Sequence, residues 1–364
     1  MNEAIKRFRD ETMTIEKGIL IILMVMGHAG IPKCINDFFH CFHMPAFIIA
    51  SGYFFKLKYL DNKWGYFQRR TEGVYFPFVK YSIIFLLLHN VFFYFGIIND
   101  QYGSASGECT KIFSVYGIIQ TAINIITRME GYDFMLLAGF WFLRALYIGS
   151  LLFCFSFWLL NSYLKRISFS VVIVTCLFCL FAGAKAYSGK DIPNWPMGGF
   201  RELMAVFFIG AGFIISSYFP YILKSKACAI VSAIILCSLY FIHPTNMGYA
   251  ATFLDWCFLP FTGICGFIIL YYISSLINRK KSKIRDWLVY VGGKTLYILA
   301  FHIVMFKPAS LLKTWIYGFD WKMIGCHIVI RENNNFYWIV YTITAIALSL
   351  LFAKLCDRTK FFKI

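Results

Sequence analysis

Apolar residues in this chain come in long runs, neither the strict alternation of a half-buried strand nor the single stripe of a surface helix. Runs long enough to cross a hydrocarbon core about 30 Å thick fall at residues 13–31, 38–58, 75–98, 140–160, 168–187, 201–219, 227–243, 251–277, 294–312 and 335–355. The pattern predicts an all-α, polytopic membrane helix bundle of about ten transmembrane helices. Residues 110–128 differ, because Ile112, Phe113, Tyr116, Ile119, Ile123 and Ile126 recur at helical spacing in a segment short for a span. That segment is expected to lie in the outer interface. Residues 313–334, with Lys313, Trp315, Asp320, Arg331 and Asn333 to Asn335, are expected to form the longest wet outer loop.

Composition sharpens this picture. The 364 residues are 60% hydrophobic and 15% charged, whereas soluble domains carry roughly a quarter charged residues. A net charge of +17 would suit nucleic acid if the cations shared one solvated face with stacking aromatics between them. Here they alternate by loop, which excludes that class. With the N-terminus inside, inner loops and termini hold 24 of the 35 Lys and Arg and the outer side 11. The bias predicts two cytoplasmic termini. Residues 1–364 read as a single membrane domain with no appended soluble domain, and the first run, lacking a clean small-x-small cleavage site, reads as a retained helix. Of twelve cysteines only Cys176 and Cys179 form a C-x-x-C pair. They lie inside an apolar run without the second ligand pair of a zinc site. Nearly all cysteines are expected to be small buried apolar residues; Cys34, Cys109 and Cys326 fall in outer loops, where a disulfide stays open.

Candidate chemistry begins in the first run. Lys17 and His28 are eleven positions apart, so a helix returns them to one stripe, separated by roughly 16 Å of rise. His28 is thereby expected near mid-membrane, where an ionisable side chain usually marks a functional site. His40 and His43 stand one turn apart and can face one neighbour; no carboxylate or thiolate at matching spacing joins them, so no metal is expected. Pro45 starts or kinks the second helix and Gly52 permits close helix approach. In the ninth run Thr295 and His302 share a face, and His302 lies about 12 Å above Lys294, close to the depth of His28. Two imidazoles at matched depth suggest one polar cavity. The plainer reading of His43 and His302, as core histidines bonded to a hydroxyl or carbonyl, stays open beside it.

At these residues the chain resembles the acyltransferase-3 family of integral-membrane acyltransferases. The resemblance covers most of its length and rests on an ordered set of motifs. Lys17 precedes Gly27-His28 in the first helix, and Phe42-His43-Met44-Pro45 leads to Ser51-Gly52-Tyr53. Arg69 and Arg70 precede Pro77, Trp141-Phe142-Leu143 opens the fourth span, and Arg201 precedes Phe207-Phe208-Ile209-Gly210. Gly292, Thr295, Leu296, Ile298 and His302 complete the set. Three positions depart. Thr14 stands where many members have Asp, with Glu16 nearby; Gly73 replaces the second arginine of an Arg-x-x-Arg loop; and Val206 replaces a proline.

The resemblance implies transfer of an acyl group, most often acetyl, from cytoplasmic acyl-CoA to a hydroxyl of a surface glycan or lipid-linked sugar, in the bacterial plasma membrane. Lys17, Arg69, Arg70 and Lys294 are then expected to hold acetyl-CoA or another short acyl-CoA, arginine being the better phosphate fork. His28 is expected as general base or as carrier of an acyl-histidine. His43, Ser51, Thr295 and His302 would orient it or stabilise the oxyanion, while Trp141, Arg144 and Arg201 would hold the acceptor. A transporter or flippase for a polar or anionic metabolite is the competing class, since intramembrane histidines and outer arginines also suit a substrate path.

Overall fold

A computed structural model describes residues 10–103, 111–132, 136–248 and 250–357. Lys6, Arg7, Arg9, Arg358, Lys360 and Lys363, which contribute to the terminal charge bias, lie outside the described residues, as does Cys109. The described residues form helices joined by turns, with no strand. In chain order these are α1 (Glu11–His28), α2 (Lys33–His40), α3 (His43–Tyr53), α4 (Lys58–Asp61), α5 (Lys63–Arg70), α6 (Phe76–Tyr94), α7 (Val115–Arg128) and α8 (Trp141–Leu164). There follow α9 (Ile167–Ser188), α10 (Phe200–Tyr218), α11 (Lys226–Ile242), α12 (Phe253–Asn278), α13 (Lys283–Gly293), α14 (Thr295–Met305), α15 (Lys307–Tyr317) and α16 (Tyr337–Cys356).

Seven helical stretches among the described residues are long and apolar enough to cross a membrane: Lys63–Tyr94, α8, α9, α10, α12, Thr295–Tyr317 and α16. The other three expected spans are shorter or more charged. α1 carries Glu11, Glu16 and Lys17, the second run is divided into α2 and α3 at Cys41-Phe42, and α11 has 17 residues. The Lys63–Tyr94 stretch starts well before the expected residue 75 and passes through a π-helical turn, Thr71–Tyr75. Pro77 explains the turn: its ring would clash with the carbonyl of Gly73 in a regular helix, and a wider i→i+5 turn relieves that. Pro308 sits in the first turn of α15 and likewise marks the joint with α14.

Around α1 pack α3, α12, α13, α14 and α16. Glycines allow backbone contact at two of the tightest joints. A Cβ on Gly18 would stand 2.6 Å from the Leu288 carbonyl oxygen, fixing α1 on α13, while Gly52 and Gly212 meet the carbonyls of Ile209 and Ile49, fixing α3 on α10. Small residues serve this purpose where lipid gives no hydrophobic drive for helix association. α7 meets the interfacial expectation in shape: Val115, Tyr116, Ile119, Ile123 and Ile126 are exposed and Ile125 is its buried contact.

α1 carries Lys17 and His28 on one helix, with the imidazole on its last residue. One expectation needs correction. The expected wet loop 313–334 is instead partly helix and partly core: Lys313 lies on α15 and is fully buried, as is Ile330. The cysteine expectation holds for Cys41, Cys154, Cys265 and Cys356, which are buried; Cys34, Cys176 and Cys237 are exposed, and every described cysteine is a free thiol. Cys176 belongs to an outward helix face with exposed Leu180, so it is apolar without being buried.

Candidate active site

Two cavities lie end to end along α1, and Met24 lines both. The inner one, about 260 Å³, is walled by α1, α3, the π turn, the start of α8 and α14. Its polar groups are Lys17, Ser51, Arg70 and Thr295 against an apolar lining that includes Ile21, Phe47, Leu146 and Leu296. Arg70 is held on both sides: its guanidinium donates to the Ser51 hydroxyl, and its Nε donates to the Tyr66 hydroxyl at 3.1 Å. Arg69, one residue earlier, points elsewhere, exposed and 5.6 Å from the Tyr59 ring centre. Lys294 also stays out of the cavity and pairs with Asp357 at 2.5 Å. Of the four expected cofactor cations, the structure therefore brings Lys17 and Arg70 together. Glu16 is fully enclosed, outside the cavity lining, and neither carboxylate oxygen has a hydrogen-bond partner among the described residues.

The outer cavity, about 230 Å³, is lined by His28, His40 and His43 together with Asn36, Gly27, Gly30, Ile328, Val329 and Arg331. Gly27 lets α2 approach, since a Cβ there would stand 2.9 Å from Asn36 Oδ1 and 3.4 Å from His40 Cε1. Gly30, with φ +80°, turns the chain just after His28 in a conformation other residues resist. His40 Nδ1 donates to the Asn36 carbonyl at 2.7 Å and His43 Nδ1 to the Phe39 carbonyl at 2.8 Å. A carbonyl only accepts, so each neutral ring carries its proton on Nδ1 and keeps Nε2 as a base. His302 repeats this one layer back: Nδ1 donates to the Ile298 and Leu299 carbonyls, both at 3.0 Å, and its enclosed Nε2 has no partner among the described residues. The His302 ring centre lies 5.2 Å from that of His28. The matched depth read from helical rise thus corresponds to two adjacent imidazoles.

A loop closes the outer cavity, and two enclosed lysines of α15 hold it. Lys307 Nζ donates to the Ile324 and Cys326 carbonyls at 3.0 and 2.8 Å; Lys313 Nζ donates to the Ile330 carbonyl at 2.9 Å and to Asn334 Oδ1 at 3.4 Å. The Asn334 amide in turn donates to the Gly30 carbonyl at 2.9 Å and the Ala29 carbonyl at 3.3 Å, directly after His28. On the same loop His327 is half-buried; burial first, then the Lys307 and Arg331 cations, brings its imidazole from 6.5 down to about 4.

The three residues expected to hold an acceptor do not line this cavity. Arg144 is fully buried, its Nε 2.9 Å from Glu202 Oε1. Arg201 lies 4.0 Å from the Trp141 ring centre and its Nε donates to the Met247 carbonyl at 3.0 Å. His40, Asn36 and Arg331 were not singled out as acceptor or catalytic residues in the sequence; the one-turn spacing of His40 and His43 was the available signal, and their rings are 4.9 Å apart. Among the described residues no group of three or more His, Cys, Asp or Glu is placed to hold a metal ion.

Comparison with known proteins adds one finding. The acyltransferase-3 family model, described as an acyltransferase domain, matches residues 14–354, nearly the whole chain. No curated protein and no solved structure matches.

Proposed function

The chain belongs to the acyltransferase-3 family, and from that premise we propose that it is a multi-pass plasma-membrane O-acyltransferase. It moves a short acyl group, acetyl being the simplest, from cytoplasmic acyl-CoA to a hydroxyl of a surface glycan or lipid-linked sugar. The observation that carries this reading is Met24, which lines both a cation-bearing inner cavity and an imidazole-lined outer one. In this reading α1, α3 and α11 complete the count of about ten spans and both termini are cytoplasmic, as the loop charges require.

The fit to the donor is specific to one end of it. A cavity of about 260 Å³ is smaller than the roughly 300–1,000 Å³ that enclose a drug-sized ligand. It suits the thin acyl-pantetheine arm among apolar side chains, with the phosphates toward Lys17 and Arg70 and the nucleotide outside. Arg70 is preorganised for an anion by Ser51 and Tyr66. Arg69 and Lys294, already engaged elsewhere, are outer members of that field.

On the acceptor side, a hydroxyl enters the cavity between His28 and Arg331. The His28 imidazole removes its proton as the oxygen bonds to the thioester carbonyl carbon. The tetrahedral adduct then collapses, the carbon–sulfur bond breaks, and the proton passes to the departing thiolate, giving an ester and free CoA thiol. His302 is the positioning residue: its bare Nε2 can accept a hydrogen bond from His28 as that ring becomes an imidazolium. His43 Nε2 and Thr295 supply further polar contacts at the two cavities. An acyl-histidine at His28 is the alternative route within the same geometry.

The test is expression of wild type and His28→Ala in a host deleted for the gene, followed by mass spectrometry of surface glycans and glycolipids. The expected result is an acyl increment with wild type and none with the variant. An increment in both removes His28 from the mechanism; proton-coupled metabolite uptake with no increment in either replaces the enzyme by a transporter.

A further inference from the structure

We infer that an open groove of about 580 Å³, lined by Tyr317, Asn333, Asn335, Phe336, Tyr337 and Val340, is a saccharide subsite beside the acyl-accepting hydroxyl. The inference rests on the acyl-transfer reading and adds where the acceptor lies. The groove walls are fixed in advance. Tyr317 stacks on Phe319, ring centres 5.6 Å apart and planes 15° apart, and meets Tyr337 nearly edge-on at 71°. Tyr337 is itself locked, its hydroxyl donating to the Ala309 carbonyl at 3.2 Å and its ring centre 4.9 Å from the Lys313 ammonium. Two tyrosine rings thus form a rigid corner, with Phe336 largely exposed at its rim.

This corner has the chemistry of a sugar site. A pyranose presents an apolar face of C–H groups, whose partial positive charge suits the negative face of an aromatic ring. Its rim of hydroxyls both donates and accepts, as do the amides of Asn333 and Asn335. No lysine, arginine or carboxylate lines the groove, so neutral polar groups are favoured over a phosphate. The volume lies within the roughly 300–1,000 Å³ of ligand pockets. An interfacial aromatic belt is the plainer explanation. It describes the exposed Trp315 and Trp321, but not rings paired with two amides around a cavity.

Placement joins the groove to the chemistry. Asn333 and Asn335 flank Asn334, whose amide is bonded to Ala29 and Gly30 immediately after His28. Val329 and Arg331 of the same loop line the imidazole cavity. A glycan seated on Tyr317 and Tyr337 therefore extends along residues 329–335 toward His28.

The probe is the oligosaccharide mixture released by mild acid from the surface glycans of producing cells. Its binding to detergent-solubilised wild type, Tyr317→Ala, Asn335→Ala and Trp315→Ala is followed by saturation-transfer difference NMR, with steady-state transfer from acetyl-CoA in parallel. Sugar signals should appear with wild type and Trp315→Ala and weaken about tenfold with either groove variant, as expected for loss of one ring or amide contact. The acceptor KM should rise by the same factor while the acetyl-CoA KM stays near wild type. Equal sugar signals in all four proteins, or none in wild type, overturn the subsite. Acyl transfer by wild type alongside such a result would leave the enzymatic reading standing, whereas sugar binding lost in the groove variants without any transfer would sink that reading and keep the subsite.

Discussion

The two cavities that meet at Met24 are built by different means. The inner one is made of helix faces and a π turn, and its polar residues come from α1, α3, the end of α5 and the start of α14. The outer one is made of the last turn of α1, the short α2, the first residue of α3 and a loop suspended from two buried lysines. In the proposed reaction the donor is always a coenzyme A thioester, and packed helices give it a fixed slot. The acceptor differs between surfaces, and a loop on a rigid scaffold is the part of a fold that changes most readily without disturbing the core. The contrast is therefore between a grip built of packed helices and one built largely of a loop within a single bundle, and each side can be disturbed separately.

The largest effect should come from the base at which, in the proposed reaction, donor and acceptor meet. His28→Ala is expected to lower kcat at least about 100-fold, the usual contribution of a positioned general base, with both KM values near wild type in an assay of CoA thiol release. A change confined to one KM would instead make His28 a binding residue of that side. Arg70→Ala comes next. It removes a charged group bonded to Ser51 and Tyr66 and should raise the acyl-CoA KM about tenfold or more, as for a lost charge-assisted hydrogen bond, leaving the acceptor KM alone. Arg69→Ala, on an exposed side chain, should stay within about twofold. Equal effects from the two arginines would undo the assignment of the inner mouth.

The same contrast explains what the sequence revealed. Lys17, Ser51, Arg70 and Thr295 were each singled out in the sequence, Lys17 and Arg70 for the donor and Ser51 and Thr295 as partners of His28, but their meeting in one inner cavity is seen only in the fold. His28 and His302 were paired by the arithmetic of helical rise. The turn that ends α1 was not legible: Gly30 at φ +80° redirects the chain two residues after His28, inside a run expected to continue to residue 31. Gly30, Val329 and Arg331 come from turns and a loop, which carry no periodicity. The surroundings of Arg144 were unreadable for another reason. An arginine at the outer end of a helix reads as exposed, and only the fold brings Glu202, 58 residues later, into an ion pair with it. Lys313 was hidden likewise, because its partners are mainly backbone carbonyls, which every residue has.

The outer loop supplies the smaller effects and the finer test. Lys313→Met leaves the fully buried Ile330 carbonyl without its donor. An unsatisfied buried acceptor costs about 1–3 kcal/mol, here local to the loop. The acceptor KM should rise roughly three- to tenfold, with faster amide exchange across residues 326–334 and an unchanged acyl-CoA KM. Lys313→Arg, which keeps a donor, should recover part of the loss. His327 gives the smallest effect, and its sign is fixed. Its imidazole sits at about 4 in the docked loop against 6.5 when free, so the released loop binds more protons between those values. Docking is then complete above pH 6.5 and weakens as the pH falls toward 4. The acceptor KM should rise over that interval, and His327→Gln, which cannot titrate, should flatten the rise. An identical pH profile in the variant would show that the loop stays docked whatever the charge on His327, making the acceptor side as rigid as the donor side.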